Sequence, residues 1–151
     1  MTNEERIMYL EQKVKAIQLT YAAALADAVV RYGNEGILDK ITDQKHAEQM
    51  KNGAMLAARL RVTEPKQVIE KTRDAFECAD FVCTDTSEGF EAVATSCIIC
   101  SLAKQMGDHN PCQIFCLSPI EAMIKGVLPE AELSVVSTLW EADKCLLTVK
   151  E

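Results

Sequence analysis

Hydrophobic residues recur at every third or fourth position in the first part of the chain, which is the spacing of one face of an α-helix. The residues on this stripe are Ile7, Leu10, Val14, Ile17, Tyr21, Leu25 and Ala28. We expect one long amphipathic helix that ends at Gly33. Heptad-like spacing also serves coiled coils, so the stripe predicts packing either inside the domain or against a second copy in a homodimer.

The second predicted helix begins after Gly33, because Asn34 is a residue type that caps helices. Its inner side is expected to carry Ile37, Ile41, Met50, Ala54 and Leu60. Pro65 then starts a third helix that runs to Phe76, since proline is tolerated in a first helical turn. The chain is therefore expected to be helical over about residues 4–77.

The pattern changes in the second half to short runs rich in β-branched residues, which predict two β-hairpins. The first hairpin covers residues 81–95 around a Ser-Glu-Gly turn. The second joins residues 133–140 to residues 144–150 through Glu-Ala-Asp.

Two cysteine-bearing helices are expected between the hairpins. One begins at its N-cap Ser96, and the other begins at Pro111 and is stopped by Gly126. The sequence therefore predicts a single α+β domain over residues 1–151. In its second part, about residues 78–151, the two hairpins form a small antiparallel sheet packed on the helix pair.

Charge and composition exclude several classes of function. The formal net charge is −7 and no basic stripe is present, so nucleic acid is not an expected partner. The first residues lack the apolar core of a signal peptide, and no apolar run reaches the ~20 residues of a membrane span. We expect a cytoplasmic protein with reduced thiols and no membrane association.

Four of the seven cysteines lie within 21 residues, and their spacing permits three interpretations. Cys97, Cys100, Cys112 and Cys116 form two close pairs, which resembles a structural zinc site. In the second interpretation, Cys100 and Cys112 are small apolar core residues. As a third interpretation, Cys97 in a first helical turn is a candidate reactive thiolate, since helix N-termini lower thiol pKa values.

Three further residues are candidates for chemistry at the same site. Cys145 alternates with Leu147 and Val149 on one strand face, where it can approach the helix pair. Asp143 lies in the turn before that strand and is either a turn former or a functional carboxylate. His109, in the loop between the cysteine-bearing helices, is a candidate general base or metal ligand, or a loop residue without a task.

The second half of the chain resembles the family of L-2-amino-thiazoline-4-carboxylic acid hydrolases. The motifs are C-x4-LAK-x2-G from Cys97 to Gly107, then Cys112 and Cys116, then EADKCLLTV over residues 141–149. The resemblance covers residues 81–149. More remotely, the cysteine-bearing last hairpin resembles the small-ligand-binding domains named after 4-vinyl reductase.

The resemblance implies that Cys97, Cys116, Asp143 and Cys145 fill the recurring site positions of the family. Three positions depart from its usual pattern. Ile98 replaces a proline, Ala142 replaces a glycine, and Leu-Ser-Pro at residues 117–119 lacks a frequent aspartate.

The activity that the resemblance implies is ring-opening hydrolysis of a small cyclic amidine that bears a carboxylate. In one mechanism the Cys97 thiolate attacks the ring carbon, and His109 or Asp143 moves protons. In the other, Cys97, Cys116 and Cys145 hold zinc or another thiolate-bound metal that activates water. Helix N-termini would bind the substrate carboxylate in both cases.

The alternative is a non-enzymatic domain whose cysteines bind a metal or small-molecule signal. The helix-start thiol favours the hydrolase, and the missing aspartate favours the binding domain.

Overall fold

The helical first half is present as three helices in the computed structural model, which describes all residues 1–151. They are α1 (Asn3–Asn34), α2 (Leu38–Arg59) and α3 (Pro65–Phe76). Pro65 occupies the first turn of α3, as expected from its missing N–H group. None of the helices of the chain combines the length and apolar composition that crossing a membrane requires.

Helix α1 begins with a capping box between Thr2 and Glu5, in which each side chain binds the other residue's backbone N–H. The side chains that α1 buries are those of Gln18, Ala22, Ala26, Val29 and Val30. The predicted apolar stripe divides into two parts: its members from Ile7 to Ile17 are exposed, whereas Tyr21 stacks on Phe76 of α3 and Leu25 is half-buried. The stripe therefore packs on the rest of the chain only from Tyr21 onward.

The expected start of the second helix at Asn34 is wrong. Asn34 is the last residue of α1, and Gly36 in the left-handed conformation (φ 71°) separates it from α2, whose N-cap is Ile37. Glycine takes this conformation without steric cost, which allows the sharp reversal between the two helices.

Both predicted hairpins form, and they combine into one four-stranded antiparallel sheet with the order β1-β2-β4-β3. The strands are β1 (Val82–Asp85), β2 (Gly89–Ala94), β3 (Glu132–Ser137) and β4 (Cys145–Lys150). The two hairpins join where β2 pairs with β4, which sets Ala94 opposite Cys145. Cys145, Leu147 and Val149 all point into the core, so the α+β prediction and the predicted strand face are confirmed.

The cysteine-bearing helices lie between the hairpins in the chain. Helix α4 (Ile98–Met106) follows Cys97, and a π-helical turn (Gln113–Leu117) leads directly into α5 (Ser118–Val127). The core lies between the sheet and helices α3 and α5, and it contains Val68, Ile69, Phe90, Ile124 and Leu147.

Gly126 does not stop its helix, contrary to expectation, because it lies inside α5. A side chain there would collide with the backbone of Gly53 and Ala54 in α2, and a side chain at Gly53 would collide with Ala122. The two glycines let α2 and α5 pack with their backbones in close approach.

We expect Gly126→Ala to destabilise the protein by about 1–3 kcal/mol, because the added methyl group must push α2 and α5 apart. In an open helix the same change would stabilise by about 1 kcal/mol. Urea unfolding measures the difference. Gly36→Asn is the control, because asparagine tolerates the left-handed conformation and nothing lies near that position. A stabilised Gly126→Ala variant would contradict the close packing.

Candidate functional site

A cavity of about 130 Å³ lies between helices α1, α3, α4 and α5, the π-helical turn and the start of β4. Of its 22 lining residues, 18 are hydrophobic, so the walls offer few polar partners to an occupant. Six of the seven cysteines line it: Cys78, Cys97, Cys100, Cys112, Cys116 and Cys145. The seventh, Cys83 on β1, lies outside. The thiols that are scattered along the chain therefore meet at one place.

The position of Cys97 is set by a turn that the Asp80 carboxylate holds together. This carboxylate accepts hydrogen bonds from the backbone N–H groups of Thr95 (2.8 Å) and Ser96 (2.9 Å), and from the Thr95 hydroxyl (2.9 Å). The hydrogen bond from the Ser96 N–H is the main reason why the pKa of Asp80 lies below its ordinary value. Asp80 therefore fixes the chain just before α4.

Cys97 itself is the N-cap of α4, so the expected cap at Ser96 is one residue too early. The backbone N–H of Ile98 donates to the carbonyl of Cys78 (2.8 Å), and Cys97 pairs with Ala79 as an isolated bridge. These two interactions attach the start of the helix to the segment that follows α3. Cys97 is thereby held at the cavity wall with the first amides of α4 beside its sulfur.

Cys97 is the most acidic thiol of the site. Hydrogen bonding from the Cys100 thiol, followed by the backbone amides of Cys100 and Ile99, lowers the pKa of Cys97 to about 6, against the opposing effect of burial. The neutral thiol makes no capping hydrogen bond, so the amides act on the thiolate form. These contacts therefore favour the thiolate form of Cys97 more than water favours that of an ordinary cysteine.

Cys100 and Cys112 form a close pair with a sulfur–sulfur distance of 3.5 Å. Cys100 donates its proton to its neighbours, so hydrogen bonding to Cys112 and Cys97, reinforced by burial, raises the pKa of Cys100. The same interaction lowers the pKa of Cys112. Cys100 has one proton to donate, and Cys97 has two helix amides in addition, so we assign the negative charge to Cys97.

The remaining thiols of the cavity are neutral. Burial raises the pKa of Cys78 and that of Cys145 to about 11, and it raises the pKa of Cys116 well above its ordinary value. These side chains behave as small apolar groups of the wall.

The cavity brings together Cys97, Cys116 and Cys145, as the resemblance implied, but not the other two candidates. Asp143 is exposed in the turn before β4 and does not line the cavity. The His109 ring lies against Gly33, and its Nε2 atom is 3.2 Å from the Asn34 side-chain oxygen. Neither residue is placed to move protons at Cys97, so these two sequence-based roles are not supported by the geometry.

The residues do not fit a metal. No group of three or more histidine, cysteine, aspartate or glutamate side chains is arranged to hold an ion. Both expected ligand sets, the four-cysteine cage and the group of Cys97, Cys116 and Cys145, therefore lack the necessary arrangement.

A second depression, an open groove of about 440 Å³, lies on the outer side of Cys97. It is more polar than the cavity and is lined by Glu77, Thr95, Ser96, Ser101 and Lys104, among others. Cys78, Cys97 and Cys100 line both the groove and the cavity. Cys97 thus stands between an apolar interior and a polar surface.

Two polar residues of α3, Thr72 and Arg73, line the cavity and were missed from the sequence. The Thr72 hydroxyl is buried without a hydrogen-bond partner. The Arg73 guanidinium is already engaged, since it donates to the Phe81 carbonyl (2.9 Å) and to Asp74 (2.8 Å). Thr72 therefore lines the cavity and carries a buried hydroxyl that is unpaired within the chain, and no local motif marks it in the sequence.

Comparison of the chain with protein-family models, curated proteins and solved structures finds no match. The resemblance to the thiazoline-carboxylate hydrolases therefore depends on the short motifs around Cys97, Cys116 and Cys145.

We expect the rate of Cys97 alkylation by iodoacetamide to fall as the pH decreases, with a midpoint near 6, because the thiolate is the nucleophile. Peptide mass spectrometry after short labelling measures the rate for each cysteine. Cys83, with its pKa raised to about 11, serves as the internal control and should stay unlabelled at neutral pH. A midpoint near 9 would show that the start of α4 does not stabilise the thiolate.

The lowered pKa of Cys97 also makes the folding stability depend on pH. The pKa of Cys97 is lower in the folded chain than its ordinary value of 9.0, so ionisation stabilises the fold fully above about pH 9. This contribution is lost as the pH falls through about 6.

Proposed function

We propose that the protein is a small-molecule-binding domain whose cavity accepts a ligand of about the size of one aromatic ring. The observation that carries the proposal is the cavity itself, with a volume of about 130 Å³ and 18 hydrophobic residues among its 22 lining residues. Apolar protein cavities of ~150 Å³ bind molecules such as benzene. This function corresponds to the non-enzymatic alternative that the last hairpin suggests.

The unpaired Thr72 hydroxyl favours a ligand that carries a hydrogen-bonding group. A buried hydroxyl without a partner costs ~1–3 kcal/mol, and a ligand that offers a hydrogen-bonding group recovers part of that cost. We therefore assign the cavity to a small apolar ring or chain that carries a single polar substituent. A free carboxylate does not suit it, because burying an unpaired charge is far more costly.

Hydrolysis of a carboxylate-bearing cyclic amidine is a second candidate, and the groove is the observation that favours it. The Cys97 thiolate faces the groove together with Lys104, and the first amides of α4 lie beside the thiolate. A cation and a helix start can bind a carboxylate while the thiolate attacks the ring carbon. The polar substrate would therefore occupy the groove and leave the cavity to other molecules.

The binding function is tested with phenol and benzene as probes, by calorimetric titration. We expect both to bind and phenol to bind more tightly. Thr72→Val keeps the shape and removes the hydroxyl, so it should abolish the preference for phenol, a loss of about 0.5–1.5 kcal/mol. It should also stabilise the unliganded protein, because an unpaired polar atom is removed. Cys116→Phe fills the cavity and should prevent binding of both probes.

Binding of phenol that survives Cys116→Phe with a native circular-dichroism spectrum would refute the cavity as the site. The hydrolase candidate has a separate readout. If 2-aminothiazoline-4-carboxylate is turned over by the wild type and by Cys116→Phe but not by Cys97→Ser, the groove is catalytic. Failure of turnover in the wild type would remove that candidate and leave the binding function standing.

A further inference from the structure

The start of α4 has the sequence Cys97-Ile98-Ile99-Cys100, which is a C-x-x-C motif at a helix N-terminus. In such motifs the first cysteine lies at the helix start and attacks, and the second lies within the first turn and resolves. Here Cys97 is the N-cap and Cys100 is buried in the first turn. We propose that Cys97 and Cys100 form a redox-active dithiol that exchanges with low-molecular-weight disulfides, independently of any ligand in the cavity.

Accessibility differs between the two thiols in the way that exchange requires. Cys97 is partly exposed and borders the open groove, so a small disulfide can reach its sulfur from solvent. Cys100 is only 5% exposed, and it therefore reacts after Cys97 has been modified. Their ionisation states are consistent with this order, since the Cys97 pKa is lowered and that of Cys100 is raised.

The reaction balances with one disulfide, RSSR, as the oxidant. The Cys97 thiolate attacks one sulfur of RSSR, which forms a Cys97–S–S–R bond and releases RS⁻. The Cys100 thiol then loses its proton to solvent and attacks the Cys97 sulfur, which forms the Cys97–Cys100 bond and releases the second RS⁻. Two protein thiols lose two electrons in total, and one RSSR becomes two RSH once the released thiolates take up protons.

Cys112 is the competing partner, because its sulfur is 3.5 Å from that of Cys100. A disulfide bond is ~2.05 Å long, so a modest movement would join these two. Cys112 does not border the groove, however, and lines only the cavity. An incoming disulfide therefore meets Cys97 first, and the attack of Cys100 on Cys97 closes the motif.

The test equilibrates the protein with mixtures of oxidised and reduced glutathione, followed by acid quenching, alkylation and peptide mapping. We expect one two-electron oxidation and a disulfide between Cys97 and Cys100. Cys97→Ser should slow oxidation at least ~10-fold, because the other two cysteines of the groove, Cys78 and Cys100, have raised pKa values and Cys112 does not border the groove. Cys100→Ala should stop at a glutathione adduct on Cys97, since the resolving thiol is missing.

Cys83→Ser is the matched control, because Cys83 lies outside the cavity and should not alter the product or the rate. A Cys100–Cys112 bond with Cys97 still free would overturn the proposed pair. The proposed pair would also be overturned if Cys97 and Cys100 stayed fully reduced in glutathione disulfide alone. The absence of a trapped glutathione adduct in Cys100→Ala would overturn it too. None of these outcomes depends on binding of phenol or on hydrolysis, so the two proposals are tested separately.

A different observation, the exposed stripe of α1, carries a second inference. Before Gln18 no side chain of α1 is buried. Four apolar residues of that segment are nevertheless spaced as a heptad repeat and are about half exposed: Ile7 (56%), Leu10 (46%), Val14 (50%) and Ile17 (60%). We infer that this stripe pairs with the same stripe of a second copy in a parallel two-stranded coiled coil.

The choice of partner and direction follows from the residues at each heptad position. Ile7 and Val14 are β-branched a residues and Leu10 is the first d residue, a combination that favours parallel dimers, whereas Ile17 at the second d position does not add to that preference. Arg6 is at a g position and Glu11 at the following e position, so in a parallel pair each Arg6 faces the partner's Glu11. In an antiparallel pair the g positions face each other, which would bring Arg6 and Lys13 into repulsion.

The exposed segment is also an existing helix, because its continuation is packed on the domain. Isolated helices of this length are marginal, since nucleation is unfavourable. Attachment to the domain removes most of that cost, and a repeat of fewer than two full heptads, from Ile7 to Ile17, can therefore still associate.

Sedimentation equilibrium tests the dimer, with an expected twofold mass at about 100 µM protein. Val14→Lys should give monomer, while Leu19→Lys, equally exposed but off the stripe, should remain dimeric. Arg6→Glu should weaken association, and the double variant Arg6→Glu/Glu11→Arg should restore it. A monomeric wild type, an equal effect of Leu19→Lys, or no rescue in the double variant would each overturn the inference.

Discussion

The candidate site depends on the hydrogen bonds that the Asp80 carboxylate accepts from the turn before α4. Three donors from Thr95 and Ser96 converge on this one side chain. They end strand β2 and place the next residue, Cys97, at a helix start. The amides of α4 then act on the Cys97 sulfur, and the shape of cavity and groove follows from where α4 begins. A neutral or shorter side chain at position 80 would release this turn and its thiol together.

Six thiols that look equivalent in the sequence become different through their surroundings. Hydrogen bonding from the Cys100 thiol, followed by the helix amides, lowers the pKa of Cys97, whereas burial raises the pKa values of Cys78, Cys116 and Cys145. One acidic thiol beside three neutral ones suits nucleophilic or exchange chemistry. The surroundings of each thiol therefore distinguish Cys97 from the others, which cysteine spacing alone does not.

The parts of the fold that sequence predicted are those set by local periodicity. Alternation and β-branched residues predicted both hairpins and the inward face of Cys145, Leu147 and Val149. Helical spacing and capping residues predicted the five helices. Local rules failed where a distant segment decides the outcome. Gly126 reads as a helix stop, yet its role is close contact with α2, which is more than 60 residues away in the chain. A stripe identifies an apolar face, but its spacing does not tell whether the domain or another molecule covers it.

The candidate site, like the fold, was predicted from the sequence only in part. The resemblance brought Cys97, Cys116 and Cys145 together, and the structure places them around one cavity. Asp80 and Thr72 were missed because neither belongs to a motif; each matters only through groups that the fold brings near it. His109 and Asp143 were chosen for their chemistry, and chemistry alone does not reveal that His109 lies against α1.

The size of the cavity limits how tightly any occupant can be held. A space of about 130 Å³ has room for roughly one ring of atoms, about six non-hydrogen atoms. Even the most efficient small ligands gain no more than ~1.5 kcal/mol per non-hydrogen atom, which sets a ceiling of about 9 kcal/mol. That ceiling corresponds to dissociation constants of roughly 0.1–1 µM at best. Occupancy would therefore follow the level of an abundant compound, and a trace compound would leave the cavity empty.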